Sequence, residues 1–162
     1  CNNPTYDWHL TNLRNYVNLT PNNRQGFNVN NEKIKGMGQG TGMLGMPGDY
    51  TSPSRFVRAA AFANTALPSA NEEEGIFRAF HTLNAFDIPK GAIRDSATKD
   101  AHTDYTVWTS AVDTRNKMYY YKTYKNQAIK KLDLLEILKK VKGKITIIES
   151  ETDRTYENVK VN

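Results

Sequence analysis

A chain of 162 residues, 38% hydrophobic and 24% charged, can bury one substantial core and is too apolar for a disordered segment. Its net charge of +5 is scattered, apart from the run "KKLDLLEILKKVKGK", which suits a solvated face better than a nucleic-acid patch. No apolar run reaches the roughly 18 residues of a membrane helix, one cysteine excludes an internal disulfide, and no secretory signal opens the sequence; the expectation is a cytoplasmic protein with neither membrane nor nucleic-acid partner.

From Tyr6 to Leu19, Trp8, Leu13, Tyr16 and Val17 recur at near-helical spacing and predict a helix. Residues 20–51 are dominated by Asn, Gly and Pro, with "GMGQGTGMLGMPGD" at the centre, so nothing longer than a short strand fits. A loop of that length in a compact domain serves function or assembly. In "TSPSRFVRAAAFAN", Ser52 is placed to cap a helix and Pro53 suits its first position. Another helix is predicted at "NEEEGIFRAFHTLNAF", capped by Asn71, with three Glu residues at its positive end and Ile76, Phe77, Phe80 and Leu83 on one face.

The last third reads as sheet. "TDYTVWTSAV" and "KMYYYKTY", joined by "DTRN", form a hairpin signature. "QAIKKLDL" and "KITIIESE" are further strand candidates, with "LLEILKKV" helical between them. Helices followed by an antiparallel meander make the fold class α+β rather than alternating α/β.

Several motifs lack their context. Gly40, Gly42 and Gly45 fit G-x-G-x-x-G, but no strand precedes them and Pro47-Gly48 follows at once, so a turned glycine loop is the better reading than a dinucleotide site. His9, His81 and His102 have no partner at metal-ligand spacing; neither metal nor organic cofactor is expected. The tyrosines at 119–121 suit a half-buried strand better than base stacking. Cys1 carries a thiol and an α-amine on one residue, the minimal equipment of an N-terminal nucleophile, and the residues alone leave its role open.

Three stretches taken together, "NNPTYDWHLTNLRNY", "GQGTGMLGMPGDYTSPSRFVRAA" and "YTVWTSAVDTRNKMYYYKTY", resemble the C-terminal half of the choloylglycine hydrolase family, which contains bile salt hydrolases and penicillin V acylases. The resemblance covers nearly the whole chain and fades after about Leu134. It implies that residues 1–162 are the C-terminal portion of one N-terminal nucleophile (Ntn) hydrolase domain, part of a four-layer αββα sandwich. Half a sandwich leaves a sheet face and an edge open, for a companion segment to complete.

The resemblance also assigns roles. Asn2 falls on the family's oxyanion-donating Asn, and Arg55 on its active-site Arg beside the nucleophile. From the residues alone, an Asx-turn residue ahead of Pro4 is the better reading of Asn2. Arg58, one turn beyond Arg55, is the residue most easily confused with it. The family's nucleophile lies more than a hundred residues upstream of the Asn-x-Pro and is followed by an Arg-x-x-Asp that this sequence lacks. Cys1 is therefore expected to be non-catalytic, and this chain alone inactive. The activity implied is hydrolysis of a linear amide: a glycine- or taurine-conjugated bile acid, or alternatively penicillin V. The competing reading is a structural fragment that only packs on its N-terminal half. Loops like residues 20–51 bridge the subunits of a tetramer in the family.

Overall fold

A computed structural model of the chain describes residues 3–98 and 102–148. The chain divides into two compact units, Cys1–Pro68 and Ser69–Asn162.

In the first unit, helix α1 (Tyr6–Leu13) runs into a single 3-10 turn at Arg14–Tyr16. The helix is thus shorter than the predicted span to Leu19, because the last turn tightens and Leu19 N–H closes on the Tyr16 carbonyl (3.0 Å). Its inward residue is His9, only 1% exposed, while Trp8 is half exposed and Val17 is on the surface. The His9 ring stacks on Phe56 of α2 (Ser52–Thr65), with centroids 4.3 Å apart, and Tyr6 meets the same Phe56 edge-on at 6.1 Å. Val57, the largest fully buried aliphatic side chain, belongs to α2 as well.

Between the helices lies the expected long loop. It holds one short hairpin, β1 (Phe27–Val29) with β2 (Glu32–Ile34), and one 3-10 turn at Thr41–Met43. Hydrogen bonds tie it together: Asn23 Oδ1 accepts from Gly40 N–H (2.8 Å), and Thr41 Oγ1 accepts from Arg24 N–H (2.8 Å). Gly42 is required where it stands, since a Cβ there would run into the carbonyls of Thr20 and Asn22. No strand leads into this glycine run and no long helix opens within it, so the dinucleotide geometry is missing.

The second unit starts with α3 (Glu72–Asn84). Asn71 caps it by accepting from Glu74 N–H (2.9 Å), and the Glu74 carboxylate returns to Ala70 N–H (2.7 Å), a reciprocal cap. Phe80 is buried, whereas Phe77, expected on the same face, is half exposed. The predicted strand over 103–112 is divided. Its first residues form β4 (Thr103–Asp104), paired with β3 (Ile93–Arg94). The chain then bends where Thr106 N–H bonds the Ile88 carbonyl (3.1 Å), and resumes as β5 (Trp108–Asp113).

β5 pairs antiparallel with β6 (Met118–Thr123), which pairs with β7 (Lys130–Asp133); α4 (Leu134–Val141) follows at once, capped by Asp133. The "DTRN" turn is closed by Asp113, which accepts from the N–H groups of Arg115 (2.8 Å) and Asn116 (3.1 Å). The predicted strand at 144–151 is not formed over 144–148, where Ile145 and Ile147 are fully exposed and no partner strand stands among the described residues; residues 149–151 lie outside them.

Side chains on β6 separate the two faces of the sheet. Tyr120 and Lys122 point toward α3: the Tyr120 hydroxyl donates to Glu72 (2.9 Å) and the Lys122 ammonium to Asn84 Oδ1 (2.6 Å) and, on the following turn, Gln127 Oε1 (2.8 Å). The opposite face carries Trp108, Val112, Tyr119, Tyr121 and Leu132, which line part of a cavity of about 330 Å³ or stand in solvent; Trp108 is 63% exposed. With helices and antiparallel sheets, the fold class is α+β, as the sequence predicts.

Candidate active site

Two residues are predicted to carry the chemistry. Asn2 lies outside the described residues, so its place relative to Arg55 is not fixed by the structure. The chain is described from Asn3 onward, and the Asn3–Pro4 peptide bond, which is cis, leads directly into α1.

Arg55 sits in the first turn of α2, its backbone N–H bonded to the Thr51 carbonyl (3.0 Å). Its side chain is half-buried. Its Nε is fully covered and has no hydrogen-bond partner among the described residues, and no ion pair there reaches its guanidinium. Arg58 is placed differently. It is 5% exposed, and its Nη1 donates to the carbonyls of Pro47 (2.8 Å) and Asp49 (2.7 Å), fastening the loop to the helix.

The entry into α2 departs from expectation in a way that matters for the site. Thr51, not Ser52, is the N-cap, so Pro53 stands one residue further into the helix than predicted. The Thr51 hydroxyl does not cap the helix; it donates to Asp49 Oδ1 (2.6 Å). Asp49 Oδ1 also takes Thr51 N–H (2.9 Å), and its Oδ2 takes the Ser54 hydroxyl (2.6 Å). These bonds, the Ser54 hydroxyl first, then the Thr51 hydroxyl and N–H, lower the Asp49 carboxyl to about 2. Asp49, Thr51 and Ser54 are not singled out by the sequence reading, which names Arg58 only as the neighbour most easily confused with Arg55. The available signal was an acid followed by hydroxyls two and five positions on, across a helix start.

His9 is packed away from solvent, and neither ring nitrogen has a hydrogen-bond partner among the described residues. His81 is exposed, and exposed His102 lies 3.5 Å from Asp104 and 3.8 Å from Asp95. Among the described residues no three His, Cys, Asp or Glu side chains cluster as metal ligands, and no helix is long and apolar enough to cross a membrane.

Arg58 thus ties the glycine loop to the start of α2, and in the other unit the antiparallel aromatic sheet is backed by α3. Residues 1–146 match the family model described as linear amide C–N hydrolases, choloylglycine hydrolase family, and the chain belongs to that family. It is 35% identical over 133 residues to the bile salt hydrolase/transferase of Clostridium perfringens, covering 82% of this chain and 40% of that protein. It is 38% identical over 120 residues to the conjugated bile acid hydrolase of Lactobacillus acidophilus, covering 74% and 37%. The chain thus spans about 40% of the length of the curated relatives it matches.

Among solved structures, a mutant of the conjugated bile acid hydrolase from C. perfringens superposes with a TM-score of 0.79 at 32% identity, over 97% of this chain and 46% of that one. Penicillin V acylase from Agrobacterium tumefaciens superposes with a TM-score of 0.58 at 20% identity, over 84% and 35%, a likeness of fold alone. The architecture is that of the Ntn hydrolases, as the resemblance implied.

Proposed function

We propose that this chain is the C-terminal portion of a bile salt hydrolase, and that the complete enzyme cleaves the amide of glycine- or taurine-conjugated bile acids by cysteine acyl transfer. The observation that carries this is the placement of Arg55. Its Nε is covered and has no hydrogen-bond partner among the described residues, while neighbouring Arg58 is taken up by loop carbonyls, in a chain 35% identical to a bile salt hydrolase.

In this reading the nucleophilic thiol lies on the part of the enzyme preceding this segment. Its thiolate attacks the amide carbonyl carbon, and the carbonyl π electrons move to oxygen. The Asn2 side-chain amide donates to that oxyanion, with a backbone N–H from the preceding part as the second donor. The oxyanion collapses, the C–N bond breaks, and the nucleophile's own α-amine, having taken the thiol proton, delivers it to the departing nitrogen. Water then hydrolyses the thioester, releasing the bile acid and restoring the thiol. Arg55 cannot lose its proton, so it supplies fixed positive charge that favours thiolate over thiol. The scheme asks for no metal or organic cofactor, and it needs a free thiol, which a reducing compartment such as the cytoplasm preserves.

Two partners belong to the proposal. The apolar sheet face of Trp108, Val112 and Tyr119 is suited to packing against the nucleophile-bearing part of the enzyme. The exposed Phe27, Val29, Ile34, Met37 and Leu44 of the long loop suit burial on a second copy, within a homotetramer. Penicillin V is the alternative substrate, supported only by a shared fold. Release of glycine or taurine from glycocholate and taurocholate, measured beside hydrolysis of penicillin V by the complete enzyme, decides the substrate. Turnover of penicillin V with neither bile salt cleaved would reverse the assignment.

A further inference from the structure

The lysine run "KKLDLLEILKKVKGK" takes no part in the proposed chemistry, yet it forms the most amphipathic of the described helices, α4. Asp133 caps α4 by accepting from the N–H groups of Leu135 (2.9 Å) and Glu136 (3.0 Å), and Leu134 N–H bonds the Lys117 carbonyl (3.1 Å), so the helix start is fixed beside the sheet. At helical spacing Leu134, Ile137 and Val141 share one side, and all three are half-buried. Leu135 and Leu138 continue the same apolar face but are 52% and 65% exposed. Ile145 and Ile147, just past the helix, are bare as well. Lysines border this strip. Residues 134–148 carry four lysines and one glutamate. Lys140 pairs with Glu136 (2.6 Å), while Lys139, Lys142 and Lys144 are exposed and in no ion pair among the described residues.

We propose that this strip, Leu135 and Leu138 flanked by Lys139, Lys142 and Lys144, is a docking face for an anionic lipid surface. The inference stands apart from the amide-hydrolase reading. Its composition selects this occupant over another part of the enzyme. Protein–protein interfaces are depleted in lysine, and the sheet face assigned to the nucleophile-bearing part agrees with that, since β5, which supplies Trp108 and Val112, contains no lysine. The α4 strip has the opposite make-up. Bare leucines beside unpaired lysines are the composition of helices that lie in the plane of a membrane interface: the leucines enter the acyl boundary and the ammonium groups reach the headgroup phosphates. Each ammonium near an anionic leaflet adds an attraction that salt screens. A helix lying flat needs no spanning run, so the lack of one among the described helices is no obstacle.

Flotation of the complete enzyme with lipid vesicles tests this. One set is phosphatidylcholine alone, and the other contains about a third phosphatidylglycerol. The expected result is binding to the anionic set about tenfold or more above the neutral set, declining as salt is raised. Leu135→Ser/Leu138→Ser removes the apolar strip and Lys139→Gln/Lys144→Gln removes charge; each is expected to cut binding about tenfold while the melting temperature stays near wild type. No binding to anionic vesicles overturns the proposal, and so does equal binding to both sets or binding that survives in both variants. Binding lost in the lysine variant but kept in the leucine variant also overturns it, because it describes a patch for any polyanion, nucleic acid included. A leucine variant that unfolds, or melts far below wild type, shows that the rest of the enzyme covers the strip, and contradicts docking equally.

Discussion

Arg55 and Arg58 stand one turn apart on the same helix and are separated by their partners rather than their chemistry. Arg58 is buried with two carbonyls on one nitrogen, so Arg58→Ala strands those acceptors and detaches the loop; a loss of about 3 kcal/mol in unfolding free energy is expected, read by urea denaturation. Arg55→Ala disturbs no such contact. The melting temperature is expected to stay near wild type while, on the role proposed for Arg55, loss of its fixed charge beside the thiolate moves the acid limb of kcat/KM up. A profile unchanged in shape and position makes Arg55 a scaffold residue. On the proposed oxyanion role of Asn2, Asn2→Ala removes a donor used mainly in the transition state, so kcat is expected to fall by about a hundredfold with KM little altered. Nearly full kcat in that variant moves the oxyanion role elsewhere.

At the scale of elements, local signals carried furthest. The cap predicted at Asn71 is the one observed, and the Glu74 carboxylate adds a bond to Ala70 N–H; Asn71→Ala is expected to cost about 1 kcal/mol, measured by thermal unfolding. The entry of α2 is harder to read, because the Thr51 hydroxyl is drawn to Asp49, two residues before it, and the capping preference that marks Ser52 ignores that carboxylate. That clamp also has a pH signature. The Asp49 carboxyl is lowered from its ordinary value of 3.8 to about 2, so its stabilisation is present above pH 3.8 and lost as pH falls toward 2. Asp49→Asn should flatten the decline of melting temperature across that window, and an unaltered decline argues that these bonds do not persist in solution. His9 was illegible for another reason: one imidazole on a helix has no period, and only its stacking on Phe56 shows that it, rather than Trp8, faces inward. Long-range pairing decided the rest: the strand predicted at 103–112 forms but divides, because β4 pairs with β3 while β5 joins β6, and 144–148 has no partner strand among the described residues.

For the whole molecule, the exposed apolar side chains of the sheet face and those of the long loop are the surfaces the proposal assigns to partners. The loop's exposed side chains predict association, and light scattering of the complete enzyme at micromolar concentration should give a tetramer; a clean monomer removes that part of the proposal. The central claim is that this chain supplies Asn2 and Arg55 to a thiol carried elsewhere in the enzyme, and that Cys1 is not the nucleophile. The most direct measurement is release of glycine from glycocholate by the 162-residue chain alone and by the same chain with the nucleophile-bearing part, each with and without Cys1→Ala. The expected result is no turnover by the chain alone, turnover by the complete enzyme, and no effect of Cys1→Ala. Turnover by the chain alone that disappears in Cys1→Ala contradicts the account and makes Cys1 the nucleophile.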